Sequence, residues 1–209
     1  FVAIIGRPNT GKSTLINALV GQKVAITSHH PNTTRHAIRG IVNGPDFQAV
    51  LVDTPGMHKP RTLLGKRLNE VVTDSLESVD IVIMTFPANE KTGAGDEHIL
   101  NIVKASRAKK IAVVTKIDTV AKESLPVRLM EVGQLADWTE IIPVSAVKSL
   151  QVDVLTSLLS KHLPEGPQLY PEDQKSDQSL EKLICEHIRE AAIKGVRQEL
   201  PHSITVTID

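Results

Sequence analysis

The sequence has little of several residue types whose abundance would point to a particular class of protein. Cys185 is its only cysteine, so neither a disulfide within the chain nor a cysteine-based zinc site can form. The aromatic residues are three Phe, one Tyr and one Trp, which leaves little for a sheet that stacks RNA bases. Lys and Arg number 24, as do Asp and Glu. The net charge is therefore zero and does not point to a polyanionic partner. The shortages favour an ordinary globular protein of 209 residues.

Long apolar runs are also missing. The longest, Phe1–Ile5, is far shorter than the roughly 20 residues that a membrane-spanning helix needs, so no transmembrane segment is expected. No charged leader precedes this run, which argues against a signal peptide, and a lone thiol is typical of the cytoplasm. Because the first residue is Phe rather than Met, we expect an internal fragment of a longer protein.

Short runs rich in β-branched residues predict strands. They are nearly continuous in apolar character, as in parallel strands that are buried on both faces. The predicted strands are Phe1–Ile5, Ala49–Val52, Ile81–Phe86, Ile111–Thr115 and Ile141–Val144. A weaker run, Ala37–Val42, precedes Asn43-Gly44-Pro45-Asp46 and the segment Phe47–Asp53, which predicts a hairpin and one antiparallel strand.

Helical patterns alternate with these strands. They cover Ser13–Val20, Leu64–Ser78, Asp96–Ala105, Leu125–Ala136 and Val152–His162. This alternation predicts an α/β fold with a mostly parallel, six-stranded sheet flanked by helices.

The composition changes after residue 163. Pro164-Glu165-Gly166-Pro167 begins a Pro- and acid-rich linker, assigned to residues 164–176. Beyond it, a helix that ends near Gly195 and an alternating strand at Ser203–Ile208 predict an incomplete α+β portion. One face of this helix is a mainly apolar stripe, formed by Leu180, Leu183, Ile184, His187, Ile188 and Ala191. The charged residues are expected on a solvated face, formed by Glu181, Lys182, Glu186, Arg189 and Glu190. We therefore divide the chain into a domain at 1–163, the linker, and part of a second domain at 177–209.

A phosphate-binding loop follows the first strand. Its residues are Gly6, Arg7, Pro8, Asn9, Thr10, Gly11, Lys12 and Ser13, with Thr14 next on the helix. The glycines let backbone N–H groups point at a phosphate, and the helix N-terminus adds positive potential. Lys12 is expected to bridge the β- and γ-phosphates, and the Ser13 hydroxyl to bind Mg²⁺.

Two further motifs lie at the ends of strands. Asp53-Thr54-Pro55-Gly56 offers a carboxylate for Mg²⁺ and the Gly56 N–H for a γ-phosphate. Thr115-Lys116-Ile117-Asp118 offers a carboxylate that matches the two adjacent N–H donors of guanine, while adenine has no such pair. The stem of Lys116 can lie along the base, and backbone groups of Ser145 and Ala146 can reach the guanine carbonyl. Ligands of open α/β sheets bind at this edge.

Together these motifs resemble those of the translation-factor-related GTPases, and the string Asn32-Thr33-Thr34-Arg35-His36 is similar to that of the Era family. The tail resembles the same family from Glu181 to Glu190 and at Glu199-Leu200-Pro201-His202-Ser203. In that family the tail begins a KH domain that binds small-subunit ribosomal RNA. The resemblance covers essentially the whole chain.

The resemblance implies a GTP-hydrolysing switch that acts in small ribosomal subunit assembly through ribosomal RNA. It makes Thr34 the switch threonine, so that Ser13, Thr34 and Asp53 would hold Mg²⁺ and Lys12, Thr34 and Gly56 would be catalytic. Asn9 matches a position that helps to bind K⁺ in related GTPases. The resemblance also implies a cytoplasmic monomer, with peripheral membrane association left open.

Three departures from the family pattern matter. Thr115 stands where Asn is usual, and its hydroxyl can make one hydrogen bond to the loop or base, so guanine affinity should fall somewhat. Met57 stands where Ras-like enzymes place a water-orienting Gln, so intrinsic hydrolysis should be slow. No GXXG loop follows residue 190, and the tail is acidic, so we expect this chain to bind RNA poorly.

Other functions stay open at this point. The chain could be an RNA-binding scaffold whose nucleotide site has little turnover, or another ribosome- or tRNA-related GTPase of the superfamily. An ATP-using assembly factor is a third hypothesis. Asp118 argues against it, because adenine lacks the pair of donors that this carboxylate matches.

Overall fold

The sheet has the predicted six strands and the predicted mostly parallel pairing. A computed structural model of the chain describes residues 1–27, 38–54, 56, 76, 78–195 and 204–207. Within these residues the strands are β1 (Val2–Ile5), β2 (Ile38–Asn43), β3 (Gln48–Asp53), β4 (Ile81–Pro87), β5 (Lys109–Thr115) and β6 (Glu140–Pro143). They form one sheet in the order β2-β3-β1-β4-β5-β6. The pairs β1–β3, β1–β4, β4–β5 and β5–β6 are parallel, and β2–β3 is the predicted antiparallel hairpin.

The helices lie close to their predicted positions. They are α1 (Lys12–Val20), α2 (Ala94–Ala105), α3 (Leu125–Gly133), α4 (Val152–His162) and α5 (Leu180–Gly195). Short 3₁₀ turns cover Ile117–Thr119 and Lys122–Ser124. No helix in the described ranges is both long and apolar enough to cross a membrane.

Alternation along the central strands builds one core on each face of the sheet. Val2 and Ile4 of β1 belong to a cluster that includes Leu15 of α1 and Leu155 of α4. Ala3 and Ile5 belong to a second cluster with Phe86, α2 and α3. The Phe86 ring meets the edge of Trp138 at a centroid distance of 5.8 Å, which extends this second core. Each central strand is buried on both faces, which is why its sequence reads as a continuous apolar run.

β1 occupies the position at which the chain crosses from one half of the sheet to the other. It pairs with β3 on one side and β4 on the other, in the registers Ile4↔Asp53 and Ile5↔Met84. The loop after β1 therefore opens into the crevice at the carboxyl ends of the strands, where such folds bind ligands. The predicted phosphate loop is this loop.

The segment predicted as a linker lies along the edge of the sheet. Ile41 donates its backbone N–H to the Lys175 carbonyl at 2.9 Å, and Gly40 pairs with Ser176 as an antiparallel bridge. The Gln48 side chain donates to the Tyr170 carbonyl at 2.8 Å. These contacts cover the outer edge of β2. The division into domains at residues 163 and 177 stays a prediction.

Helix α5 ends at Gly195, as predicted, but the prediction of its faces is only partly confirmed: Glu181 and Lys182 are exposed, and other residues differ from it. The apolar residues Leu180, Ile184 and Ile188 are 72%, 41% and 50% exposed, whereas Arg189 and Glu190 are each only 3% exposed. Glu190 forms an ion pair with Lys23 and accepts a hydrogen bond from Thr27. Arg189 pairs with Glu186 one turn earlier, at 2.6 Å. Glu190 is buried because the segment after α1 supplies partners for it, and Arg189 is buried beside its partner Glu186, which periodicity alone does not reveal.

Some predictions fall outside the described residues. They include Asn32-Thr33-Thr34-Arg35-His36, Pro55, Met57 and most of the helix predicted at 64–78. The predicted strand at 203–208 is wrong where it is described, since residues 204–207 form no strand. An alternating pattern forms a strand only when a neighbouring strand pairs with it, and the sheet does not include this segment.

Candidate nucleotide-binding site

The loop between β1 and α1 has the backbone shape of a phosphate-binding loop. Gly6 has φ 156° and Gly11 has φ 93°, and Gly11 immediately precedes α1. A Cβ on Gly6 would lie 2.3 Å from the Thr85 hydroxyl, so this position requires glycine. The N-terminus of α1 therefore faces the interior of the loop, where its N–H groups favour an anion.

The hydroxyl groups of two threonines, Thr10 and Thr85, fix the phosphate loop against β1 and β4. Thr10 donates to the Arg7 carbonyl at 2.9 Å, and its hydroxyl lies 2.7 Å from that of Thr85 in β4. Thr85 in turn donates to the Ile5 carbonyl at 3.1 Å. Sequence reasoning missed Thr85, although a polar residue within the apolar run of β4 was a signal for it.

The Lys12 ammonium group lies inside the loop. It donates to the carbonyls of Gly6 at 3.1 Å and Arg7 at 2.8 Å, and the residue is 6% exposed. Burial lowers the pKa of Lys12 to about 8; the nearby carboxylate of Asp53 opposes this shift and Arg7 adds to it. The loop thus holds a cation where a phosphate group would be stabilised by it.

The proposed metal ligands lie beside the loop. Ser13, at the start of α1, donates to a carboxylate oxygen of Asp53, at the end of β3, at 2.9 Å, and Asp53 is fully buried. A hydroxyl and a carboxylate this close are hard oxygen donors of the kind that Mg²⁺ prefers, so the residues present fit this ion. Thr34, the third predicted ligand, lies outside the described residues.

The residues after Asp53 bring their backbone to the phosphate loop. Thr54 is buried and donates to the Ile4 carbonyl at 2.7 Å, which fixes the end of β3 against β1. A Cβ on Gly56 would lie 2.8 Å from the backbone of Pro8, so only glycine allows this approach. Gly56 therefore lies beside the phosphate loop, as the sequence predicts.

The second loop, at the end of β5, is tied directly to the first. The buried Thr115 hydroxyl donates to the Thr10 carbonyl at 2.7 Å. The expectation that Thr115 keeps one hydrogen bond is thus confirmed on the loop side. Lys116 follows with φ 58°, and this left-handed turn carries the chain into the 3₁₀ turn that bears Asp118.

Asp118 is exposed at this edge and is oriented by a partner from the next strand. The Ser145 hydroxyl donates to its carboxylate at 2.5 Å and accepts the Lys148 N–H at 3.1 Å. The Ser145 backbone N–H donates to the Leu150 carbonyl at 3.1 Å. Sequence reasoning predicted backbone contacts at Ser145 and Ala146, but missed the hydroxyl as the group that holds Asp118.

The structure therefore brings most of the predicted site residues to one edge of the sheet. These residues lie at the carboxyl ends of the strands, in the loops that follow them or at helix starts: Gly6–Thr14, Asp53, Thr54, Gly56, Thr115, Lys116, Asp118, Ser145 and Ala146. Pro55 lies outside the described residues. The Asn9 backbone adopts φ 62° in the exposed part of the phosphate loop.

Comparison with known proteins shows the same fold and family. Residues 1–116 match the family model described as 50S ribosome-binding GTPase. GTPase Era of Mycobacterium avium is 54% identical over 212 residues, covering 100% of this chain and 71% of the relative. GTPase Era of Streptomyces coelicolor is 53% identical over 215 residues, covering 100% and 68%.

Solved structures agree with the sequence comparison. A crystal structure of Era in complex with MgGDPNP and nucleotides 1506–1542 of 16S ribosomal RNA has a TM-score of 0.94 and 38% identity. An Aquifex aeolicus Era variant bound to GDP·AlF4⁻ has a TM-score of 0.93 and 38% identity. Each match covers 100% of this chain and 71% of the solved chain.

The phosphate loop is joined to the loop that bears Asp118, the carboxylate predicted to bind guanine. This arrangement on this sheet, together with the family match, defines a P-loop GTPase. Within that class the identities above 50% over the full length of the chain are decisive. The chain belongs to the Era family of GTPases.

The buried lysine predicts a specific pH dependence of stability. The folded-state pKa of Lys12, about 8, lies below the usual value of 10.5, so the unfolded chain binds more protons between these pH values. The free energy of unfolding should therefore rise from pH 8 to 10.5, by up to about 3 kcal/mol from this group. Lys12→Met should lose this rise and Lys104→Met, at an exposed position, should keep it. Urea unfolding without nucleotide measures both; parallel pH curves for wild type and Lys12→Met would contradict the burial of the charge.

Proposed function

We propose that this chain binds GTP, hydrolyses it to GDP and phosphate, and acts as a molecular switch. The supporting observation is the hydrogen bond from Thr115 to the Thr10 carbonyl, which joins the loop that suits a polyphosphate to the loop that bears Asp118. A single guanine nucleotide can contact both loops only if they are adjacent. The known relatives of the chain carry the name GTPase, which agrees with this function.

The phosphates would bind along the loop from Gly6 to Thr14. Backbone N–H groups and the start of α1 would receive them, and the Lys12 ammonium would exchange its loop carbonyls for β- and γ-phosphate oxygens. Ser13, Asp53 and Thr34 would hold Mg²⁺, which when bound supplies charge stabilisation between the β- and γ-phosphates. The Gly56 N–H would contact the γ-phosphate, and Thr54, Pro55 and Gly56 would belong to the nucleotide-binding residues. Lys12, Thr34 and Gly56 are the proposed catalytic residues.

Guanine would be selected at the second loop. The Asp118 carboxylate would accept from the ring N–H and the exocyclic amine, and the Ser145 hydroxyl keeps it oriented. The stem of Lys116 would cover one face of the base, and backbone at Ser145 and Ala146 would face its carbonyl. Adenine has no such pair of donors for the Asp118 carboxylate, which argues against an ATP-using factor.

A potassium ion near Asn9 is the proposed second cation. The Asn9 backbone is in the left-handed conformation, which an Asn tolerates better than most residues. Asn9 is an exposed residue of the phosphate loop, the position that helps to bind K⁺ in the GTPases that this sequence resembles. A monovalent cation there would add positive charge in the place where other GTPases use an arginine.

The biological role that we propose is assembly of the small ribosomal subunit, with the switch controlling contact with ribosomal RNA in the cytoplasm. The description of the matching family names the 50S ribosome, whereas the solved structure of Era is a complex with 16S ribosomal RNA. We favour the small subunit, because the structural match covers the whole chain and the family model covers only residues 1–116. Residues 1–163 would be the GTP-binding domain, 164–176 the linker, and 177–209 part of a KH-like domain.

Asp118→Asn tests the base assignment. Xanthine presents an acceptor where guanine presents a donor, so the amide should shift preference from GDP to XDP. We expect GDP affinity to fall about 100-fold, because the amide NH₂ would meet one guanine donor with another donor and the remaining hydrogen bond would lose its charge assistance. Competition binding with GDP, XDP and ADP measures this change, with the exposed Asp137→Asn as the matched control. An unchanged preference for GDP would refute the assignment.

Turnover in KCl and NaCl at equal ionic strength tests the second cation. Hydrolysis should be several-fold faster in KCl, because the ion adds charge stabilisation beside the phosphates. Asn9→Gly should remove the difference; glycine is chosen because it tolerates the positive φ of this position. Asn101→Gly, at an exposed position in α2, should keep it. Equal rates for the wild type in both salts would remove Asn9 from the mechanism.

Single-turnover hydrolysis distinguishes the switch from the competing function, an RNA-binding scaffold with little turnover. Wild type should release phosphate from bound GTP, more quickly with small ribosomal subunits than without them. Lys12→Ala should abolish triphosphate binding, whereas the exposed Lys104→Ala should behave as wild type. If the wild type binds GTP but releases no phosphate in either condition, the scaffold function is correct.

A further inference from the structure

A third loop lies at the nucleotide edge of the sheet, and neither the phosphate nor the base motif includes it. It connects β4 to α2 and covers residues 88–93. Its first residue, Ala88, donates its backbone N–H to the Thr115 carbonyl at 2.8 Å, which holds the loop beside the base-binding loop. The loop and the first turn of α2 carry two carboxylates, Glu90 and Asp96, that face the site.

The Arg7 side chain of the phosphate loop is held by both carboxylates. Its Nε donates to Asp96 at 2.8 Å, and a terminal nitrogen donates to Glu90 at 3.0 Å. Asp96 is 1% exposed and also accepts the Gly93 N–H at 3.0 Å, so it is a fixed anchor. A Cβ on Gly95 would lie 2.7 Å from the Arg7 stem, which shows how closely this stem packs on the backbone.

Holding Arg7 also positions the group that receives the catalytic lysine. The Arg7 carbonyl accepts hydrogen bonds from the Lys12 ammonium at 2.8 Å and the Thr10 hydroxyl at 2.9 Å. Arg7 thus joins the two carboxylates, through its side chain, to the acceptor of the Lys12 ammonium, which is its own carbonyl. The acidic loop thus supports the phosphate site through Arg7.

The same Glu90 carboxylate also faces the base-binding loop. Its second oxygen lies 3.9 Å from the ammonium of Lys116, while the first accepts from Arg7. One carboxylate therefore lies between a cation of the phosphate loop and a cation of the base loop. Glu90 is 41% exposed at its side chain, so neither contact is a buried structural pair and each is open to adjustment when a nucleotide binds.

We propose that Glu90 is a positioning residue that couples the phosphate loop to the base loop, so that each loop is ordered for one nucleotide by the other. It acts on the nucleotide through Arg7 and Lys116 and does not itself contact the reacting atoms. The proposal rests on the proposed function, because the coupling matters only if one guanine nucleotide spans both loops. The ligand class concerned is the guanosine polyphosphate.

A binding cycle with fluorescently labelled GDP tests this coupling. In the wild-type chain, Glu90→Gln should weaken GDP binding about 3- to 10-fold, as expected for two partly exposed ion pairs of one carboxylate. Glu97→Gln, an exposed residue in the first turn of α2 with the same change of charge, should stay within 1.5-fold of wild type. Glu90→Asp should recover part of the loss, since it keeps the charge with a shorter reach.

The decisive arm repeats Glu90→Gln in a chain that carries Arg7→Gln and Lys116→Met. If Glu90 acts through these two cations, its substitution in that chain should change GDP affinity less than 1.5-fold. A merely structural role would give the same fold-loss in both chains. Thermal unfolding of each variant shows whether the fold is kept.

Two results would overturn the inference alone. They are wild-type GDP affinity in Glu90→Gln, and an equal loss in both chains. Failure of the unmodified chain to bind GDP would instead overturn the proposed function, and the inference with it. Because the wild type is measured first, these failures are distinguishable.

Discussion

The buried ammonium group of Lys12 is the constraint on which the nucleotide site depends. Removing this charge from water is unfavourable, as its lowered pKa indicates, and the carbonyls of Gly6 and Arg7 and the Asp53 carboxylate offset part of that cost. The loop must therefore curl so that its carbonyls point inward at Lys12. Left-handed or otherwise positive φ values at Gly6, Asn9 and Gly11 provide this curl. A phosphate that enters the loop meets a cation already in place, so its binding needs little reorganisation.

Short hydroxyl side chains at strand ends keep these loops in register. Thr54, Thr85 and Thr115 end or nearly end β3, β4 and β5, and all three are buried. Each donates a hydrogen bond to backbone of β1 or of the phosphate loop, at 2.7 to 3.1 Å. Threonine suits these positions because its branched Cβ fits a buried strand, while its hydroxyl can donate to a carbonyl of the neighbouring strand or loop. Three loops that are distant in sequence thus become one surface.

The parts of the fold that follow local rules could be predicted from the sequence. β5 was predicted from Ile111 and begins at Lys109, and α4 has the predicted bounds Val152–His162, because apolar periodicity and turn residues act within a few neighbours. The hairpin at Asn43–Phe47 was predicted for the same reason. The faces of α5 could not be predicted, since burial of Arg189 and Glu190 depends on partners, Glu186 within the helix and Lys23 far along the chain. The predicted strand is likewise wrong over the described residues 204–207, because a strand needs a neighbouring strand to pair with and the sheet does not include these residues.

The sequence by itself determined which chemistry the site can perform. The glycines, the lysine and the carboxylates of its motifs are the groups that phosphates, Mg²⁺ and guanine require, and their order along the chain already placed each at a strand end. Only the tertiary structure decided which groups hold them: Thr85 under the loop, Ser145 on Asp118, and Glu90 and Asp96 on Arg7. The physical reason is that a hydrogen bond depends on positions within about 3 Å in space, and these partners, 27 to 89 positions apart, become neighbours only when the sheet assembles.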